Sequence, residues 1–282
     1  MTESIQPNTL YVVATPIGNL GDISQRAIAV LQGVDSIAAE DTRHSARLCQ
    51  YFDIRTPLQA YHDHSDEHKV AAFLDRIEQG ASLALISDAG TPLISDPGFR
   101  LVKLARQRGI QVVPIAGACA FVAALSAAGL PSDRFTFEGF LPSKSGARQR
   151  QLEALASETR TLIFYESPHR IVDSLSDMVV AFGGERELVL ARELSKTFET
   201  FIPGTAASVL EAVQADRNQQ KGEMVVMVAG AETQVEKIDP AVEHIMRSLL
   251  AELPIKQAAK IAAQITGLKK KVLYQWGLDQ KN

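Results

Sequence analysis

The chain has 282 residues, 46% of them hydrophobic and 22% charged, with a formal net charge of −4. That length is enough for one large or two ordinary cores, and no apolar run is long enough to span a bilayer. The mild acidity argues against nucleic-acid binding judged on overall charge alone, but residues 236–282 hold eight Lys/Arg against five Asp/Glu, a net +3 that leaves −7 for the rest.

The opening MTESIQPNTL lacks the basic and apolar regions of a secretory signal. Two isolated cysteines, Cys49 and Cys119, suit neither a disulfide framework nor a zinc site. A reduced, cytoplasmic protein without membrane or metal attachment is expected.

Short apolar runs alternate with amphipathic stretches. Strands are predicted at 10–15, 36–40, 83–88, 112–116, 136–141, 161–167, 188–193 and 223–230. Helices are predicted near 23–32, 43–51, 66–79, 97–108, 118–128, 147–156, 169–181 and 205–215. Several strands are continuous hydrophobic runs, as in strands buried on both faces. The fold class is therefore α/β, with helices on both sides of largely parallel sheets. The loop AAGLPSDRF and a second break near residues 230–240 divide the chain into 1–128, 129–235 and a helical tail, 236–282. In the tail, Ile255, Ala258, Ala259, Ala262 and Ile265 share one helical face, and Gly267 precedes a basic second helix with Lys269, Lys270 and Lys271. This pattern fits a helix-turn-helix, or a packed helical pair with a solvated lysine run.

Chemistry-bearing residues gather at the predicted strand ends. After the first strand, TPIGNLGDISQ lets the backbone approach a ligand at Gly18 and Gly21. Asp22 with Gln25 reads as a capping box, or as a ligand contact. Neither a P-loop nor a dinucleotide fingerprint is present. Glu40, Asp41, Arg43 and His44 end the second strand. The third long run leads into SDAGTPLISDPGF, where Asp96 before Pro97 reads as a helix start. Asp88-Ala89-Gly90-Thr91-Pro92 opens no helix and is free to line a pocket at a strand's carboxyl end. AGACA, with Ala118 and Cys119, opens an alanine-rich helix that leaves room for a ligand or a close helix contact. Further along stand Lys144 and Arg148, then Tyr165, Glu166 and His169, then Arg192, Glu193 and Lys196. The acids and Arg192 fit catalysis, or an ion-pair network tying strand ends together.

Taken in order, TPIGNLGDIS, AEDTRHSARL, SDAGTPLISDPG, LPSDRFTFEGFLP, FYESPHRI, ARELSKTFE and KGEMVVMV closely resemble the ribosomal RNA small-subunit methyltransferase I family, a branch of the tetrapyrrole methylases. The likeness covers about residues 8–230 and the basic tail. It implies 2′-O-methylation of a 16S rRNA cytidine, S-adenosylmethionine as donor in a cleft between two α/β domains, the 30S subunit as partner and a homodimer. The donor contacts it implies are Pro16, Asp88, Ala89, Gly90, Thr91, Pro92, Ala118, Cys119, Leu141, Tyr165, Ala191 and Gly222. AGACA lacks the first proline of the PGPSA-like turn found in many members. Displacement from a sulfonium needs no metal. Asp22, Glu40, Asp41, Glu166 and Glu193 are the candidate bases, and Arg43, Lys144, Arg148, His169, Arg192, Lys269, Lys270 and Lys271 the candidate RNA contacts. A tetrapyrrole C-methyltransferase, a diphthine-synthase-like enzyme and a non-catalytic ribosome-binding module are the alternatives. The TPIGNLGD loop, unlike a GPGDPDLLT-type loop, disfavours the first two.

Overall fold

Apolar residues on both faces of the first strands dictate a sheet sandwiched between helices. In the computed structural model, which describes residues 5–62, 67–232 and 238–280, β1 (Thr9–Val13), β2 (Ser36–Ala39), β3 (Leu58–Ala60), β4 (Ser82–Ile86) and β5 (Gln111–Ile115) form one parallel sheet. Its order is β3-β2-β4-β1-β5. Leu10 packs on one face with Ala38, Leu83 and Leu85, while Tyr11 and Val13 pack on the other with Ile37, Ala39 and Ile86. The helices α1 (Gln25–Gly33), α2 (Thr42–Tyr51), α3 (Glu67–Glu78) and α4 (Phe99–Gln107) follow the strands they connect. Asp66, where the third helix was expected to begin, lies outside the described residues, as do Glu236, Lys237 and Lys281 of the tail.

The second sheet departs from the parallel expectation. It is built from β6 (Phe135–Phe140), β7 (Thr161–Glu166), β8 (Glu187–Arg192), β9 (Thr200–Thr205) and β10 (Met224–Val228) in the order β6-β7-β10-β8-β9. Only β6 and β7 run parallel; β10 is antiparallel to β7 and β8, and β9 is antiparallel to β8. One face packs on α6 (Ser145–Leu155), α7 (Ile171–Phe182) and α8 (Ala206–Ala215) through Leu152, Leu175 and Val209. The other face, with Ile163, Val189 and Val225, packs against Ala124 and Leu125 of α5 (Ala120–Ala127), the helix that follows β5. That helix sets the carboxyl end of the first sheet against the second.

Contacts divide the chain into two compact units, Met1–Ala231 and Glu232–Asn282. Among its described residues the second unit has three helices, α9 (Pro240–Glu252), α10 (Ile255–Thr266) and α11 (Lys270–Asp279), packed through Met246, Ala259, Ala262 and Leu273. Gly267 ends α10 in a left-handed conformation, as a helix-terminating glycine does. Asp239 and Pro240 start α9, a helix absent from the expectation. No helix among the described residues is long and apolar enough to cross a membrane.

Candidate active site

Loop backbone builds the site before any side chain does. Thr15, just past β1, pairs with Gly90 in both directions, N–H to O at 2.9 and 3.0 Å, and the Thr15 hydroxyl donates to the Ser87 carbonyl at 3.3 Å. The Thr91 hydroxyl donates to the Ala118 carbonyl at 2.9 Å. Three strand ends of the first sheet are thereby tied together. Gly90 has φ +85°, where a Cβ would stand 3.2 Å from Ile17.

A cavity of about 370 Å³ opens at this junction, within the size range of small-molecule sites. Glu40, the Asp88–Thr91 loop and Cys119 line it from the first sheet, and Tyr165 and Glu166 at the end of β7 line it from the second. Because β10 runs antiparallel, its first residues, Met224 and Val225, lie beside the ends of β7 and β8 and also face the cavity. Of the donor contacts implied by resemblance, Asp88, Ala89, Gly90, Thr91, Cys119 and Tyr165 are therefore brought together.

Others are placed elsewhere. Leu141 and Ala191 are buried in the two cores of the second sheet. Gly222 has φ +84° and packs against the Glu193 side chain, so glycine is required there by its backbone. Pro16 and Pro92 flank cavity residues without lining the cavity, and Ala118 turns toward a neighbouring hollow that also takes Asp22.

Asp22 does not cap α1. Ser24 does, accepting from the Ala27 N–H at 3.0 Å, and the Asp22 carboxylate accepts a hydrogen bond from the Ser195 hydroxyl. Asp41 caps α2 and pairs with Arg43 at 3.3 Å; the Arg43 hydrogen bond holds its carboxyl below the ordinary value. Glu166 is saturated: the Ser167 N–H and Arg170 bind one oxygen at 2.7 and 2.6 Å, and the Ser174 hydroxyl binds the other at 2.6 Å. Glu193 is held by Lys196, whose ammonium also reaches Glu223, both at 2.8 Å. Desolvation is the largest single influence on the Glu193 carboxyl and pushes it up, but the hydrogen bonds from Lys196 and the Glu223 N–H and the charges of Lys196 and Arg192 together outweigh it, and the net shift is downward.

Two expected RNA contacts are corrected. Arg148 is buried and pairs with Asp177 at 2.6 Å. Arg192 is buried and donates to the carbonyls of Lys221 and Phe198 and to the Thr200 hydroxyl. Arg43, Lys144, His169 and Lys269 to Lys271 are exposed.

Asp96 is a further correction, since it starts no helix. The cap of α4 is Gly98, without a side-chain hydrogen bond, and Asp96 faces the cavity with Ser95 and Ile94. Left-handed backbone at Leu93 (φ 73°) and Ser95 (φ 64°) curls the loop so that its acid points inward. Desolvation raises the Asp96 carboxyl to about 6, opposed by a hydrogen bond from Ser87 and reinforced by the charges of Glu40 and Asp88. Burial also raises the Cys119 thiol and the Tyr165 hydroxyl above their ordinary values. Tyr165 accepts a 3.3 Å hydrogen bond from the Phe121 N–H, which fixes its ring against the start of α5.

Residues 9–210 match the family model for tetrapyrrole (corrin/porphyrin) methylases, and residues 236–281 match that for the RsmI C-terminal HTH domain. The chain is 58% identical to the ribosomal RNA small subunit methyltransferase I of Pseudomonas aeruginosa, over 97% of this chain and 98% of that one. It is 53% identical to the protein of the same name from Escherichia coli O157:H7, over 96% and 95%. Among solved structures, the cobalt precorrin-4 methyltransferase CbiF shares the fold with a TM-score of 0.58 at 16% identity, covering 79% of this chain and 95% of that one. A uroporphyrin-III C-methyltransferase from Thermus thermophilus, complexed with S-adenyl homocysteine, gives 0.53 at 16% identity, covering 78% and 96%. A methylase model matched over residues 9–210, together with relatives alike from end to end, shows that the chain belongs to the ribosomal RNA small subunit methyltransferase I branch of the tetrapyrrole methylase family.

Proposed function

We propose that the chain transfers a methyl group from S-adenosylmethionine to the ribose 2′-oxygen of a cytidine in the 16S RNA of the 30S subunit. The observation that carries this reading is the 58% identity across nearly the full length of a ribosomal RNA small subunit methyltransferase I. The cavity fits the donor chemically: Gly90 exposes main chain, Ile17, Met224 and Val225 offer apolar walls, and Asp88, Thr91 and Tyr165 offer polar groups. A solved protein of the same fold holds the demethylated donor. Bound there, S-adenosylmethionine supplies a methyl group activated on a sulfonium. The chain's part is to hold the two reactants in line and exclude water, an orientation effect of several kcal/mol. The cross-tied loops at Thr15, Gly90, Thr91 and Ala118 suit that task, because the lining is fixed by main-chain hydrogen bonds rather than by mobile side chains.

We also read residues 1–128 and 129–235 as separate α/β domains, each built on its own sheet, and the cytoplasm as the place of work. A second copy of the chain is placed on α5, which leaves Val122 53% exposed although the helix is almost wholly apolar. Nearby in sequence, Phe135 at the start of β6 is 40% exposed. RNA phosphates are assigned to Arg43, Lys144 and His169 and, in the second unit, to Lys269, Lys270 and Lys271. Changing these three lysines together to alanine should weaken 30S binding and flatten its salt dependence by about three counterions, with donor affinity unchanged by calorimetry.

The reading is tested on small subunits from a strain that lacks the endogenous enzyme. Mass mapping after incubation with the chain and labelled donor should find the new methyl on a cytidine ribose of 16S RNA. Methylation of uroporphyrinogen with the subunits left untouched would overturn it.

A further inference from the structure

We propose that Asp96 is the general base, its carboxylate taking the proton of the ribose 2′-hydroxyl as the oxygen attacks the donor methyl. The assignment rests on methyl transfer to a ribose hydroxyl in this cavity. The step balances: the proton passes from O2′ to an Asp96 oxygen, the O–CH3 bond forms, the S–CH3 bond breaks, and its electron pair stays on sulfur.

Placement carries the argument. Asp96 reaches the cavity because two non-glycine residues in its loop, Leu93 and Ser95, adopt left-handed backbone, a conformation disfavoured for residues that carry a Cβ. The same turn denies it the cap of α4, where the main chain at Gly98 stands instead. It remains a half-buried carboxylate steadied by the Ser87 hydroxyl.

The other titratable groups facing the cavity suit the role less well. Cys119 and Tyr165, on the α5 and β7 side, keep their protons at neutral pH because burial disfavours the anions. Glu166 is saturated by Arg170, Ser167 and Ser174. Glu223 is tied to Lys196 on the exposed rim. Asp88 accepts the Asp41 N–H at 3.1 Å, which anchors it to the β2 end. Asp88 and Glu40 then act as fixed negative charges that raise the proton affinity of Asp96. A base that is ionised near neutral pH yet holds a proton more tightly than an ordinary carboxylate is what proton removal from an alcohol requires.

The test uses the full chain, Asp96→Asn and Glu40→Gln, with labelled donor and unmethylated 30S subunits in single turnover across pH. The wild-type rate should rise tenfold per pH unit below about 6 and level above it. Asp96→Asn should lose that limb and run about 10²- to 10⁴-fold slower, with its donor Kd by calorimetry within twofold of wild type. Glu40→Gln, which leaves Asp96 in place, should move the limb to lower pH. In the free protein, 13C-aspartate NMR should show one carboxyl titrating near 6 that is absent from Asp96→Asn. This spectrum and the Glu40→Gln limb decide the matter if Asp96→Asn fails to fold. Asp96→Asn retaining the limb, a loss confined to donor affinity, a limb indifferent to Glu40, or no carboxyl titrating near 6 would each overturn the assignment. A wild-type chain that leaves 30S subunits unmethylated would overturn the functional reading, and the base with it.

Discussion

Replacing Gly90 by valine is expected to weaken donor binding on the order of 100-fold, about 2.7 kcal/mol, in a calorimetric titration. The residue has φ +85°, where an L side chain costs about 1–2 kcal/mol and a β-branched one more. Its new Cβ would stand 3.2 Å from the Ile17 side chain and 3.7 Å from the Ala118 carbonyl, with two methyls still to place. Relief requires the loop to move away from Thr15, breaking the paired hydrogen bonds that hold Ala89 to Thr91 along the cavity. Most of the fold lies outside this loop, so the melting temperature should fall much less than the affinity. A donor Kd within threefold of wild type would show that the cavity does not hold the donor through this loop.

Arg148→Met is expected to cost about 3–5 kcal/mol of folding stability, read from the urea midpoint. The reason is the carboxylate left behind: Asp177 is 11% exposed, and its second oxygen accepts only from the amide of Gln149, at 2.8 Å, among the hydrogen bonds found. Adding Asp177→Leu should recover most of the loss, since an apolar pair needs no compensation in the core between α6 and α7. Affinity for 30S subunits should be unchanged in the folded fraction of the double variant. Weakened RNA binding with stability intact would instead return Arg148 to the RNA contacts.

Hydrophobic runs made the strands legible wherever they were buried on both faces. β1, β4, β7 and β10 are continuous apolar segments, and each lies where the runs placed it. Strand direction was not legible, because an apolar run reads alike from either end and only its partners decide. β9, TFIPGT, was hidden by its Pro and Gly, which are tolerated because it is an edge strand; β3 is only three residues long. The place of Asp88 to Thr91 on the cavity could be read because a turn that leaves a buried strand without opening a helix is free to line a pocket. The fate of Asp22 and Asp96 could not, since each sits in sequence where a helix cap would, and the helix begins two or more residues later. Burial of Arg148 was equally hidden, its partner being 29 residues away and brought close only by packing of α7.

The position of β10 has a bearing on how the molecule is made. The first sheet is complete once residue 115 has been synthesised, whereas β10 at 224–228 is the central strand of the second and the last to be translated. Until it arrives, the nascent chain carries β7 and β8 with open edges facing each other, the kind of surface that invites wrong pairing. Met224 and Val225 supply one wall of the cavity, so the cavity closes only when the final strand slots in. Ribosome-bound precursors shorter than this are thus unable to assemble it.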